Sequence, residues 1–98
     1  MNSKAVIERL RTYEPELRAA GIVHLSLFGS TARNANRPDS DIDLLAAFDP
    51  TRQLSLLDII HLENRLSDLL SAKVDLIEEG TLRPRIKASA DKDILYAF

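Results

Sequence analysis

The sequence predicts an α/β (α+β) domain, a small mixed β-sheet flanked by helices. Three observations carry that expectation. Segments of helical and strand periodicity alternate along the chain and end on a strand. The 98 residues are 45% hydrophobic and 29% charged, with only 3 Gly and 4 Pro, the composition of a folded globule and not of a disordered segment. That length suits a single domain, residues 1–98, with a modest core and no room for a second domain.

Ser3 is placed to cap a first helix, in which Val6, Ile7, Leu10 and Tyr13 recur at three- and four-residue spacing. Pro15 would break that helix if it lay inside, but it suits the first turn of a second short helix that stops at Gly21. From Ile22 to Phe28, the alternation of Val23, Leu25 and Leu27 reads as a strand, ended by Gly29 and Ser30. Asn36-Arg37-Pro38-Asp39-Ser40 is a turn by composition, and a second strand runs from about Asp41 to Phe48.

Leu56, Ile59, Ile60, Glu63, Leu66, Leu69 and Leu70 predict a long amphipathic helix capped by Ser55. A third strand spans Lys73 to Ile77, with Val74 and Leu76 on one face and Asp75 and Ile77 on the other. Gly80 marks a turn. Arg83 to about Lys92 predicts a last helix, with Arg83, Arg85, Lys87 and Lys92 as a basic face, and Ile94 to Phe98 a short final strand.

Composition also narrows the function. Thirteen Lys plus Arg against fifteen Asp plus Glu give a net charge of −2, which argues against nucleic acid as a direct partner held by bulk charge. The absence of Cys rules out a disulfide framework, a thiolate nucleophile or a Cys-ligated zinc. Glu8 and Arg9 stand where a signal peptide would be apolar, and no apolar run approaches the ~20 residues of a membrane span. The expected location is the cytoplasm, with no membrane association.

Chemistry concentrates in Gly29-Ser30 at a strand end, Asp41 and Asp43 at the start of the next, and Asp75 in the third. Asp41 and Asp43 are two apart, so both side chains leave one sheet face, about 6.5–7 Å apart along the strand. Asp75 joins them if its strand is a neighbour. Clustered carboxylates repel unless one is protonated or a divalent cation sits among them. Mg²⁺ takes hard oxygen ligands and needs no His or Cys. A glycine at a strand end lets backbone approach a phosphate closely, and a following hydroxyl adds a donor.

Plainer readings compete with this one. The plainer reading of Asp41 and Asp43 is a turn and capping pair, against which the flanking motif counts, and that of Asp75 is a strand-edge charge. An EF-hand is excluded, because Leu44 stands where that loop needs Gly and Pro50 where it needs Glu. His24 and His61 lack metal-ligand partners at helical spacing and read as structural or surface residues.

Leu27-Phe28-Gly29-Ser30-Thr31-Ala32-Arg33, followed by Ser40-Asp41-Ile42-Asp43-Leu44-Leu45 and by Lys73-Val74-Asp75-Leu76-Ile77, resembles the signature of the DNA polymerase β-like nucleotidyltransferase superfamily. Within it the chain is most similar to the minimal nucleotidyltransferase (MNT) family of antitoxins. The resemblance implies the polymerase β-like fold and Mg²⁺-dependent transfer of AMP from ATP, with pyrophosphate released. It implies a HEPN-type toxin as partner in a hetero-oligomer, modified on a tyrosine hydroxyl. By position, Gly29 and Ser30 would hold the triphosphate, Arg33 would steady phosphate or partner, and Asp41, Asp43 and Asp75 would bind Mg²⁺, as two ions, with Asp75 also the general base. Asn34 departs from the pattern, where relatives often have Gly. The alternatives are a non-catalytic antitoxin acting by complex formation, or a nucleotidyltransferase acting on RNA or a small molecule.

Overall fold

Two helices lead into the sheet, and their ends follow local chemistry. A computed structural model describes residues 2–29, 41–79 and 94–98. Helix α1 (Ser3–Thr12) is capped by Asn2, whose side chain accepts from the Ala5 N–H at 2.8 Å. The expectation of a Ser3 cap is corrected here: a cap sits outside the helix with extended backbone, as Asn2 does, whereas Ser3 is already helical and buried. Val6, Ile7 and Leu10 are buried as their spacing predicts, and Tyr13 packs partly buried beside them.

Helix α2 (Glu14–Ala19) carries Pro15 in its first turn, where a missing N–H costs no hydrogen bond. Gly21 then reverses the chain at φ +112°, with Leu54 so near that a Cβ would stand 3.1 Å from its Cδ1.

Strand β1 (Ile22–Phe28) pairs antiparallel with β2 (Ile42–Phe48), and β2 pairs parallel with β3 (Val74–Glu78). A parallel pair needs a crossover, which α3 (Leu56–Leu70) supplies. Strand β4 (Leu95–Tyr96) pairs antiparallel with the other edge of β1, giving the order β3-β2-β1-β4. It is shorter than the stretch 94–98 that the sequence suggests, although Ala97 still donates to the Leu25 carbonyl at 2.9 Å.

Alternation sorts the sheet into two faces. Leu25, Leu27, Ile42, Leu44, Ala46, Val74 and Leu76 join the helices in one core cluster with Val6, Leu10, Leu17, Leu66 and Leu70. The opposite face carries the polar strand positions, among them His24, Asp43 and Asp75.

Helix α3 starts on a capping box in which the Ser55 side chain accepts from the Asp58 N–H and Asp58 accepts from the Ser55 N–H. Its buried stripe is Leu62, Leu66, Leu69 and Leu70, with Ile59 partly buried beside it. Leu56 and Ile60, expected on that stripe, are instead 74% and 42% exposed, and Leu57 is 61% exposed. Ile60 and Leu57 point away from the Leu62–Leu66 line at 100° per residue, and Leu56 lies at its margin in the first turn. The expected last helix from Arg83 to Lys92, with its basic face, and the stretch 30–40 lie outside the described residues. Among the described residues, no helix is long and apolar enough to cross a membrane.

Candidate functional site

Strand register brings the predicted residues together. Asp43 lies directly opposite Asp75 in the parallel β2–β3 pair and opposite Phe28 in the antiparallel β1–β2 pair. Gly29 therefore comes immediately beside Asp43. Asp41 precedes β2 by one residue and shares the alternation of Asp43, and the start of the strand is fixed by the Ile42 N–H donating to the Lys73 carbonyl at 2.9 Å. All three predicted carboxylates thus leave the sheet on the face away from the helices. Ser30 and Arg33 lie outside the described residues.

Gly29 adopts φ +75°, a left-handed conformation that L side chains rarely take. A Cβ there would stand 2.6 Å from Oδ2 of Asp43. The glycine thus has a role the sequence did not reveal: it leaves space for the Asp43 carboxylate. Register between two neighbouring strands creates that need, and no local pattern records it.

Burial, with the neighbouring charges of Asp75 and then Asp41, holds the Asp43 carboxyl above the usual carboxylate range. Asp41 meets Lys73 at 3.8 Å, a loose pair of exposed side chains. Among the described residues, no three His, Cys, Asp or Glu side chains converge on a point that a metal ion would occupy. The donor set still suits a hard divalent cation. All three groups are carboxylates, Asp43 feels like charge that a cation would relieve, and the Lys73 contact with Asp41 is weak enough to be exchanged.

The histidines stay apart from this chemistry. His24 is exposed on β1, and His61 lines a groove of about 540 Å³ with Arg52, Leu54 and Asp58. That groove borders Gly21, where β1 begins, whereas Asp43 faces Phe28, where β1 ends. Six residues of strand separate them by about 20 Å. That groove is therefore not where the carboxylates gather; among the described residues, Asp75 is exposed and Asp43 only partly buried.

A mixed sheet with helices, glycine at the end of its first strand and paired carboxylates on the next two is the architecture of a polymerase β-like minimal nucleotidyltransferase. The chain belongs to the nucleotidyltransferase domain family, whose model matches residues 4–97. It is 43% identical over 91 residues to a Methanocaldococcus jannaschii protein assigned as a protein adenylyltransferase (MJ0126), covering 91% of each chain. It is 34% identical to the protein adenylyltransferase MntA of Thermococcus cleftensis, covering 89% of this chain and 87% of that one.

A solved structure assigned as a minimal nucleotidyltransferase superposes with TM-score 0.79 at 34% identity, covering 97% of this chain and 95% of that one. The fold also recurs in a toxin–antitoxin structure with AMP-PNP, at TM-score 0.69 and 20% identity, covering 100% of this chain and 73% of that one. It recurs again in a complex of a tri-AMPylated Shewanella oneidensis HEPN toxin with MNT antitoxin, at TM-score 0.65 and 17% identity, covering 94% of this chain and 71% of that one.

Proposed function

We propose that this nucleotidyltransferase is the antitoxin of a HEPN/MNT-type pair and transfers AMP from ATP to a hydroxyl, that of a tyrosine, on its partner toxin. The observation that carries the reading is the in-register Asp43–Asp75 pair beside the Cβ-free Gly29. The relatives named protein adenylyltransferase support the acceptor class. The shared fold of the HEPN toxin complex supports the choice of partner.

In this mechanism, Gly29, Ser30 and Arg33 hold the triphosphate, and Asp41, Asp43 and Asp75 hold Mg²⁺. Bound Mg²⁺ supplies charge neutralisation for the triphosphate and lowers the pKa of a hydroxyl beside it. The tyrosine oxygen attacks the α-phosphorus in line. A new P–O bond forms there as the bond to the bridging oxygen of the β-phosphate breaks, and pyrophosphate leaves with that electron pair. Asp75, exposed on its strand, accepts the hydroxyl proton. Catalysis is then mostly positioning and electrostatics. The acceptor arrives on another protein, which supplies the wall that the open sheet face lacks. The chain works in a hetero-oligomer in the cytoplasm.

The test uses ATP labelled at either the α- or the γ-phosphate, with Mg²⁺ and the HEPN-type product of the adjacent gene. AMP transfer places the α-label on the toxin and leaves the γ-label in pyrophosphate. Labelling from the γ-position only, or from neither, refutes the proposal.

A further inference from the structure

Asp75 stands on the outermost described strand on its side of the sheet, and an edge strand presents a row of backbone groups that have no partner strand and must be satisfied or covered in another way. Just before β3 the Lys73 carbonyl points inward to β2, where it accepts from the Ile42 N–H. Alternation then turns the N–H groups of Val74 and Leu76 outward. Both find acceptors on α3. The Val74 N–H donates to Ser67 Oγ at 3.1 Å, and the Leu76 N–H donates to Glu63 Oε2 at 2.9 Å. Ser67 Oγ donates in turn to the Glu63 carbonyl at 3.0 Å, so its lone pairs are turned to the strand. The two contacts bracket Asp75, one residue to either side.

We infer that Glu63 and Ser67 are positioning residues: their side chains stand in for a missing neighbour strand and hold Asp75 in register with Asp43. The reason lies in the residue types. A bond from a backbone N–H to a carboxylate is among the stronger hydrogen bonds, and Glu63 has no need of charge for packing at the rim of an apolar stripe. A leucine there would extend the stripe but leave the Leu76 N–H without its acceptor. Without these two bonds the outer side of β3 is held by packing alone, so Asp75 is less firmly fixed against Asp43 while Val74 and Leu76 keep the strand in the core.

The catalytic consequence rests on the whole of the proposed function and the effect on the cation only on its carboxylate ligand set, so the experiment reads both. In the full chain, Glu63→Ala is expected to weaken Mg²⁺ binding, measured as the Mg²⁺-dependent rise in Tm, by roughly 10–100-fold, the usual range for groups that orient ligands. Glu63→Gln, which keeps an acceptor oxygen, restores most of it, and Ser67→Ala gives a smaller loss. In an Asp75→Asn background, Glu63→Ala changes Mg²⁺ binding no further, because its effect passes through Asp75. With ATP and toxin, Glu63→Ala lowers kcat by about tenfold or more and leaves KM for ATP within about twofold.

Folded Glu63→Ala protein with unchanged Mg²⁺ binding overturns the inference, as does an equal loss in both backgrounds. A wild type that binds Mg²⁺ as described but transfers no AMP refutes the proposed function and leaves the positioning role standing.

Discussion

Gly29 and Asp43 fit together only because one of them has no side chain: a Cβ on Gly29 would lie 2.6 Å from the Asp43 carboxylate oxygen. The two residues are 14 apart in sequence and meet through the pairing of Phe28 with Asp43. Gly29 also sits at φ +75°, so a substitution there meets backbone strain and steric conflict together. Gly29→Ala is expected to destabilise the fold by about 1–3 kcal/mol and to cut AMP transfer by more than tenfold, because the displaced carboxylate is one of the proposed ligands. Thermal denaturation and initial rates check the two effects separately.

Asp43 should stabilise the metal-free protein when it is made neutral. Its carboxyl titrates above the ordinary value of 3.8, chiefly through burial and then through Asp75 and Asp41. A raised folded-state pKa gives a contribution that is complete below the unfolded value and is lost as pH rises through the folded one. At pH 7 the ionised group therefore opposes folding. Asp43→Asn raises Tm without Mg²⁺ by a few degrees at most, since solvent screens this partly exposed group to within about 1 kcal/mol. The gain shrinks as pH is lowered through the carboxylate range. Melting curves from pH 3 to 8 check the sign.

Cation binding should reverse that order. A cation that binds only the native state stabilises it by RT ln(1 + [L]/Kd). Wild-type Tm is expected to rise with Mg²⁺ concentration, while Asp41→Asn, Asp43→Asn protein shows little response. Chelation of Mg²⁺ by EDTA is expected to abolish AMP transfer and restore the metal-free melting temperature.

Ser55 separates stability from chemistry. Its side chain accepts from the Asp58 N–H at 3.1 Å and starts α3 far from the carboxylates. Ser55→Ala is expected to cost about 0.5–2 kcal/mol and to leave kcat and KM unchanged at temperatures where the variant remains folded. Denaturant unfolding with parallel kinetics checks it.

Particular residues show how much of this was legible in advance. The bounds of β1 and the Asp-x-Asp placement follow from two-residue alternation, and Val74 and Leu76 are buried opposite Asp75 as the pattern predicts. Helix α3 was legible in extent but less so in facing. With leucines at 56, 57, 62, 66, 69 and 70, periodicity offers more than one apolar line, and tertiary contact selects the one through Leu62 and Leu66.

Glu63, read as part of that apolar face, turns out to serve the β3 backbone. A polar side chain reaching for a neighbour's N–H leaves no periodic trace. The need for glycine at 29 is similar, because it arises from strand pairing across 14 residues. Pairing also makes the carboxylate site, and only the family signature, not composition, hinted at its partners.

The central claim is tested most directly by the intact mass of the HEPN toxin after incubation with this chain, ATP and Mg²⁺. A gain of one or more AMP units with the wild type, and none with Asp41→Asn, Asp43→Asn protein that still binds the toxin, is the predicted result. An unmodified toxin, or equal modification by the double variant, would contradict it, and neutralisation that survives the double substitution would assign the antitoxin effect to complex formation alone.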